Sequence, residues 1–400
     1  MLSPSLALLI SIAAILILLR LKVHAGFCIF AGSIILALLV IPLNTIPSLM
    51  KDSILDYQTI RLMVIIASAL TLSRLMEEKG LLADLAAAIE SISPKLALHF
   101  IPAVIGLVPM PGGALVSATA SRGTAERMKL KPEQGTFINY WFRHIWEFSI
   151  PVYPAVVLSS VILSVPLSTI VVTLLPMTAL AIASGSLISY GILKKTPGVK
   201  GKPSKNILIK LLKASWPILI LVASILLGLE AMIAFPVTLV LLIIQQRARW
   251  PELKKSFMYG LDLKILFLLY SVMLYRAIIE NSGAVETVFT DMQNMGLPAL
   301  IILIVLPFLM GIATGFSIVF AGVALPLLVP YIASDSSIHG YALLVAYTSG
   351  LMGVLLSPVH LCLILSAEYF KANLVRVYIY LALLFVMVEG VIILIYYLAR

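Results

Sequence analysis

The chain is 400 residues long; 61% of it is apolar (A, V, I, L, M, F, W, Y or C) and only 12% is charged, where an average soluble protein is about 45–50% apolar and about 25% charged. With a mean hydropathy of +1.10, more apolar surface is present than a soluble fold of this size can cover, so the composition excludes a soluble globular protein and points to a bilayer. The net charge of +10 does not point to nucleic acid, because the basic residues lie in loops between apolar runs.

The first apolar run, 4–20, has no basic segment before it and reads as a retained first span rather than a cleaved signal. A helix needs about 20 mostly apolar residues to cross a membrane. Runs on that scale follow at 24–42, 60–76, 136–163 and 166–193. After a basic linker over 194–206, further runs lie at 207–228, 231–246, 264–280, 340–366 and 373–398. Short amphipathic pieces are expected at 81–92 and 284–296. Two more apolar stretches, about 96–125 and 298–331, are interrupted. The interruptions are Pro109-Met110-Pro111-Gly112-Gly113 and Gly311-Ile312-Ala313-Thr314-Gly315-Phe316-Ser317. Cys28 and Cys362 both lie inside apolar runs, so neither a disulfide framework nor a bound metal is expected.

Cytoplasmic loops are enriched in Lys and Arg. With the N-terminus outside and each interrupted stretch entering and leaving on one side, all the basic residues except Lys51, Arg61, Arg143, Arg276 and Arg400 fall on the cytoplasmic side. A full crossing of the interrupted stretches separates the charges less well. They therefore read as re-entrant hairpins, with both termini outside and the basic linker in the cytoplasm.

The two halves also resemble each other. A displacement of 203 carries Gly80 onto Gly283 and Gly112 onto Gly315, and one of 204 carries Pro154 onto Pro358. The expected fold is an all-α polytopic membrane protein of two inverted-topology repeats, 1–193 and 207–400. Each repeat has five spanning helices and one re-entrant hairpin, with broken helices at the midplane. Matching Gly- and Pro-interrupted segments in inverted repeats point to a secondary transporter and to its binding site.

Non-helical backbone at membrane depth is tolerated where protein or a water-filled cavity satisfies its polar groups. The hairpin tips, with Gly112, Gly113 and Ser117 in one and Thr314, Gly315 and Ser317 in the other, are therefore candidate substrate contacts. Helices that restart after each tip offer free N–H groups to an anion. The span Asn139–Pro154 adds Asn139, Arg143, His144 and Glu147. A charge at membrane depth costs roughly 2.5–3.5 kcal/mol on insertion scales, so such residues face a cavity or a partner. Arg143 and Glu147 lie four apart, a spacing that also allows a structural ion pair. In the functional reading Arg143 grips a carboxylate bidentately, while Glu147 and His144 exchange a proton. The matching span carries Ser357 and His360 as further hydrogen-bonding groups, and His360 alone also fits a packed core histidine. Glu230, Glu368 and Glu389 read as interface or span-end residues.

Taken together, the paired tips Pro109–Ser117 and Gly311–Ser317 and the paired broken spans Asn139–Pro154 and Ser349–His360 resemble the ion transporter superfamily. Its members include gluconate, citrate, dicarboxylate and short-chain organic-anion permeases. The nearest likeness is to an uncharacterised integral-membrane branch of it. The resemblance implies a homodimer, a scaffold built on the first two spans and their copies, a transport body of hairpins and broken spans, and elevator movement. Sodium-coupled dicarboxylate members carry Ser-Asn-Thr at both tips. Neither tip here has it, which favours protons over sodium.

The reading is therefore a plasma-membrane secondary transporter of a small organic anion, proton-coupled and without a cofactor. Its partners are the anion, the bilayer and a second copy, and not nucleic acid. A sodium-coupled anion symporter, a sodium/proton antiporter and a passive channel are the alternatives within transport. An intramembrane enzyme is the alternative outside it. His144-Ile145-Trp146-Glu147 lacks the second histidine of the His-Glu-x-x-His zinc logic, and neither a Gly-x-Ser-x-Gly elbow nor a Walker motif is present.

Overall fold

The computed structural model describes residues 3–107, 113–194, 196, 206–334 and 337–399. In the first half the helices are α1 (Pro4–Arg20), α2 (Ala25–Val40), α3 (Ile46–Leu55), α4 (Tyr57–Glu78), α5 (Leu81–Ile92), α6 (Pro94–Gly106), α7 (Gly113–Arg127) and α8 (Pro132–His144). A 3-10 turn over Ile145–Phe148 precedes α9 (Pro154–Ile162) and α10 (Leu167–Leu193). The second half holds α11 (Ile207–Leu226), α12 (Ala231–Gln245), α13 (Trp250–Gly260), α14 (Leu263–Asn281), α15 (Ala284–Asn294), α16 (Ala299–Thr314), α17 (Ser317–Ile332), α18 (Gly340–Leu356), α19 (Leu361–Phe370) and α20 (Leu374–Ala399). A two-residue antiparallel ladder, Ala333 opposite Ile338, links α17 to α18.

Helix starts follow local chemistry. Pro4, Pro94, Pro132 and Pro154 open α1, α6, α8 and α9, where the missing N–H costs nothing. The Asp56 carboxylate accepts from Thr59 N at the start of α4 (3.1 Å), which satisfies one of that helix's unpaired donors. Among the described residues, six helical segments are long and apolar enough to cross a membrane: α4, α10, α11, α13–α14, α18–α19 and α20. The shorter apolar helices include α1, α2, α12, α16 and α17.

All ten expected spans coincide with helical segments, and the two expected to break do so. The run 136–163 is divided among α8, the 3-10 turn and α9, and the run 340–366 between α18 and α19. Two helices were not expected, α3 and α13. Both are short, mix polar with apolar residues and open on a proline at the first or second position, so neither stands out as an apolar run.

The broken segments are the inner ones. Every residue of α9 from Ala155 to Ile162 is buried, as is every residue of α18 from Ala342 to Leu355. By contrast α1, α12 and α20 leave Leu9, Val240, Val375 and Ile379 more than half exposed. Helices apolar on their outer face suit a lipid surround. The linker over 197–205 and the first tip over 108–112, which includes Gly112, lie outside the described residues.

Candidate functional site

The two breaks arise in the same way. Pro151 has no N–H to give the Glu147 carbonyl, and Pro358 none to give the Val354 carbonyl, so each removes a hydrogen bond from the helical ladder at its break. Tyr347 Oη donates to the Glu147 carbonyl freed in this way (2.8 Å). In the second half, Val359 N turns to Ser357 Oγ (3.4 Å) instead of the Leu355 carbonyl. Tyr140 Oη takes its place there (2.9 Å). Each break is thus held by a buried tyrosine from the other half of the chain.

Close backbone approach fixes the surroundings. A Cβ on Gly106, the last residue of α6, would lie 2.1 Å from the Arg143 carbonyl oxygen. One on Gly311 of α16 would lie 2.2 Å from the Gly350 carbonyl oxygen of α18. Each arm preceding a tip is therefore pressed against a broken span, which only glycine allows. Gly315 caps α16 with φ +69, and a Cβ there would also come within 3.1 Å of His360 N and Ser357 Oγ.

At this crossing the expected residues divide into two groups. The first surrounds Arg143, which is 3% exposed. Its Nη1 lies 3.3 Å from His144 Nε2, and His144 Nε2 lies 3.3 Å from His360 Nε2. The Glu147 carboxylate is 3.9 Å from His144 Nε2. His360 Nδ1 meets the Gly315 carbonyl (2.9 Å), and Ser357 Oγ donates to the Ile312 carbonyl (2.7 Å). Cys362 belongs here as well: its sulfur and the two imidazoles offer ligand atoms that all lie within 4.8 Å of one another. The α-helical register that would set Glu147 over Arg143 ends at His144, where the chain tightens into the 3-10 turn.

The second group gathers at the start of α7. Asn139 Nδ2 donates to the Ala114 carbonyl (3.1 Å) and to Ser366 Oγ of α19 (3.0 Å). Ser117 Oγ donates to that same Ala114 carbonyl (3.1 Å). Among the described residues, Asn139 Oδ1 is buried without a hydrogen-bond partner. Gly113 begins α7. Thr314 Oγ1 turns back to the Met310 carbonyl (2.7 Å) and receives Phe316 N (3.3 Å), so its hydroxyl is engaged within its own turn. Ser317 opens α17 and is half-buried.

Sequence reasoning missed Tyr140, Tyr347 and Cys362. The tyrosines sit 207 residues apart (347 − 140), close to the repeat displacement, which is the signal that could have found them. Cys362 stands two residues after His360, on the first turn of α19, whose extended N-cap is His360 itself, so a His-x-Cys pair at a helix start was the signal available. Glu230 pairs with Arg61 (3.2 Å) and accepts from Tyr57 (2.9 Å), and Glu389 of α20 accepts from Ser349 of α18 (3.1 Å). A crevice of about 380 Å³ beside α8 is lined by Lys95, His99, Phe142, Trp146, Ser189 and Lys194 among others. Among the described residues, no expected site residue lines it.

Residues 2–399 match the model of a family described as a protein of unknown function, DUF401. The chain belongs to that family. None of the curated proteins matches it, and neither comparison ties it to the ion transporter superfamily.

Proposed function

We propose that this DUF401 protein is a secondary transporter of a small organic anion, a carboxylate, working by elevator-type alternating access. The observation that carries the reading is the crossing of two broken helices at a buried guanidinium, each break braced by a tyrosine from the opposite half. A folding scaffold alone gains nothing from breaking two inner helices at a buried charge. A binding site gains free backbone groups and a cation to pair with an anion.

Several features support the inverted repeat. The ten helices from α1 to α10 correspond in order to α11–α20, at displacements between 203 (Pro4 to Ile207) and 208 (Pro132 to Gly340). Gly80 and Gly283 precede α5 and α15 with φ +71 and +66. The packing is reciprocal too. The contact of α2 with α14 has its counterpart in α12 with α4, α5 with α11 in α15 with α1, and α9 with α17 in α19 with α7. The tyrosine braces obey the same exchange. Five crossings per repeat is an odd number, so the second copy is inverted.

The hairpin reading is supported by packing: each arm packs on its mate, α6 on α7 and α16 on α17.

In this reading Arg143 binds the carboxylate, with the restarted ends of α7 and α17 supplying N–H groups and Asn139 a further polar contact. The protein sits in the plasma membrane as a homodimer, termini outside and linker in the cytoplasm. The coupling ion expected from the sequence is a proton. The test is charge movement by the reconstituted protein on a solid-supported membrane, against a panel of carboxylates, with and without sodium and at two pH values. A current evoked by one carboxylate without sodium, stronger at acidic pH and lost in a folded Arg143→Ala variant, is expected. A current that Arg143→Ala leaves unchanged overturns the assignment of the anion site.

A further inference from the structure

Where α8 ends and α19 begins, two histidines face each other with their tautomers already fixed. His144 Nδ1 lies 2.6 Å from the Tyr140 carbonyl, and His360 Nδ1 lies 2.9 Å from the Gly315 carbonyl. A carbonyl oxygen only accepts, so both Nδ1 atoms carry the proton and both neutral rings present a bare lone pair at Nε2. Those two nitrogens are 3.3 Å apart. Two lone pairs aimed at each other repel unless an electrophile lies between them. The Arg143 guanidinium offers an N–H to one of them, at 3.3 Å from His144 Nε2.

The spacing matches a known geometry. Two nitrogens bound tetrahedrally to one zinc ion at about 2.0–2.1 Å stand about 3.3–3.4 Å apart. A sulfur ligand completes the group: the Cys362 sulfur and the two ring nitrogens lie within 4.8 Å of one another. Histidines that ligate a metal commonly donate their second ring N–H to a backbone carbonyl, which sets orientation and raises basicity. Both do so here. Two imidazoles and a thiolate suit zinc and the late first-row ions rather than magnesium or calcium, which take oxygen.

We propose that His144, His360 and Cys362 bind one zinc-class transition-metal ion, with ligands drawn from both halves of the chain. On binding, the Cys362 thiol gives its proton to water as the sulfur–metal bond forms, and no electron is transferred. The Arg143 N–H leaves His144 Nε2, and the Glu147 carboxylate, 3.9 Å from that nitrogen, balances part of the added charge. His360 and Cys362 are each 9% exposed, so the cluster lies just beneath the surface of the chain. The proposal stands independently of the transport reading.

The test is Co²⁺ titration of the full-length protein, purified in detergent and stripped with a chelator. One Co²⁺ per chain is expected, with the intense visible bands of a tetrahedral site and a near-ultraviolet sulfur-to-cobalt charge-transfer band. Zn²⁺ should displace it and Mg²⁺ should not. Cys362→Ser should remove the charge-transfer band, while Cys28→Ser, which alters the other cysteine, should leave it. His360→Gln should weaken binding beyond the about 10–100-fold that loss of a supporting group causes. A wild-type protein without the charge-transfer band, or a band that survives Cys362→Ser, overturns the proposal, and the wild-type measurement does not depend on any variant folding.

Discussion

The tyrosine braces allow a sharp test, because Tyr140→Phe and Tyr347→Phe each remove one oxygen and keep the ring. Both side chains are fully buried, and each hydroxyl satisfies a carbonyl that its own helix has abandoned, Leu355 for Tyr140 and Glu147 for Tyr347. Side-chain hydrogen bonds inside membrane proteins average only about 0.6 kcal/mol, because the alternative state finds other partners. A buried carbonyl left unpaired costs about 1–3 kcal/mol. The second figure governs here, since a broken helix offers these carbonyls no replacement N–H. Each variant should therefore lose about 1–2 kcal/mol, a factor of about 5–30 in the folded-to-unfolded ratio. Equilibrium unfolding in mixed micelles with increasing SDS reads that loss directly. The repeat exchanges the two braces, so the two losses should be alike. A loss under about 0.3 kcal/mol in either, or a cost confined to one, would refute the reasoning.

Other substitutions probe the packing around the crossing. Gly106→Ala pushes a methyl group to 2.1 Å from the Arg143 carbonyl, and overpacking of that kind costs about 1–3 kcal/mol. Thermal unfolding should show the loss, and anion-evoked current should fall because Arg143 is displaced. Gly311→Ala, its mate against Gly350, should behave the same way. Gly191→Ala in α10, where nothing lies within 4 Å, should instead match the parent or gain up to about 1 kcal/mol. Lys79 and Glu252 tie α4 to α13 at 2.5 Å, yet both are partly exposed. Lys79→Ala should cost at most about 1 kcal/mol, and raising the salt concentration should shrink the difference in the same assay.

The fold was legible to the extent that bilayer physics writes itself into composition. Spans such as 166–193 and 373–398 stand out because lipid demands long apolar runs, and the breaks at Pro151 and Pro358 because proline removes a helical hydrogen bond beside polar residues, whereas Pro176 and Pro217 lie inside unbroken helices. The helices α3 and α13 were hidden, being short, partly polar and ordinary in composition. Arg143, His144 and Glu147 were found as charges where charges are costly. Their arrangement was not: the chain tightens into a 3-10 turn after His144, and His360 and Cys362 from the other half join the group. Cys362 and the two tyrosines escaped notice because an apolar run accommodates them without comment, and only the meeting of the two halves gives them partners. The first tip, with Gly112, lies outside the described residues.

The most direct measurement is solute counterflow. Liposomes carrying the protein are loaded with an unlabelled carboxylate, diluted into a trace of the labelled one, and given no ion gradient. A carrier that exposes one site to each side in turn accumulates the label transiently above equilibrium, then releases it. That overshoot is predicted for the wild type and should vanish with Arg143→Ala. A monotonic approach to equilibrium would mean a channel, and no uptake across the whole carboxylate panel would contradict the account.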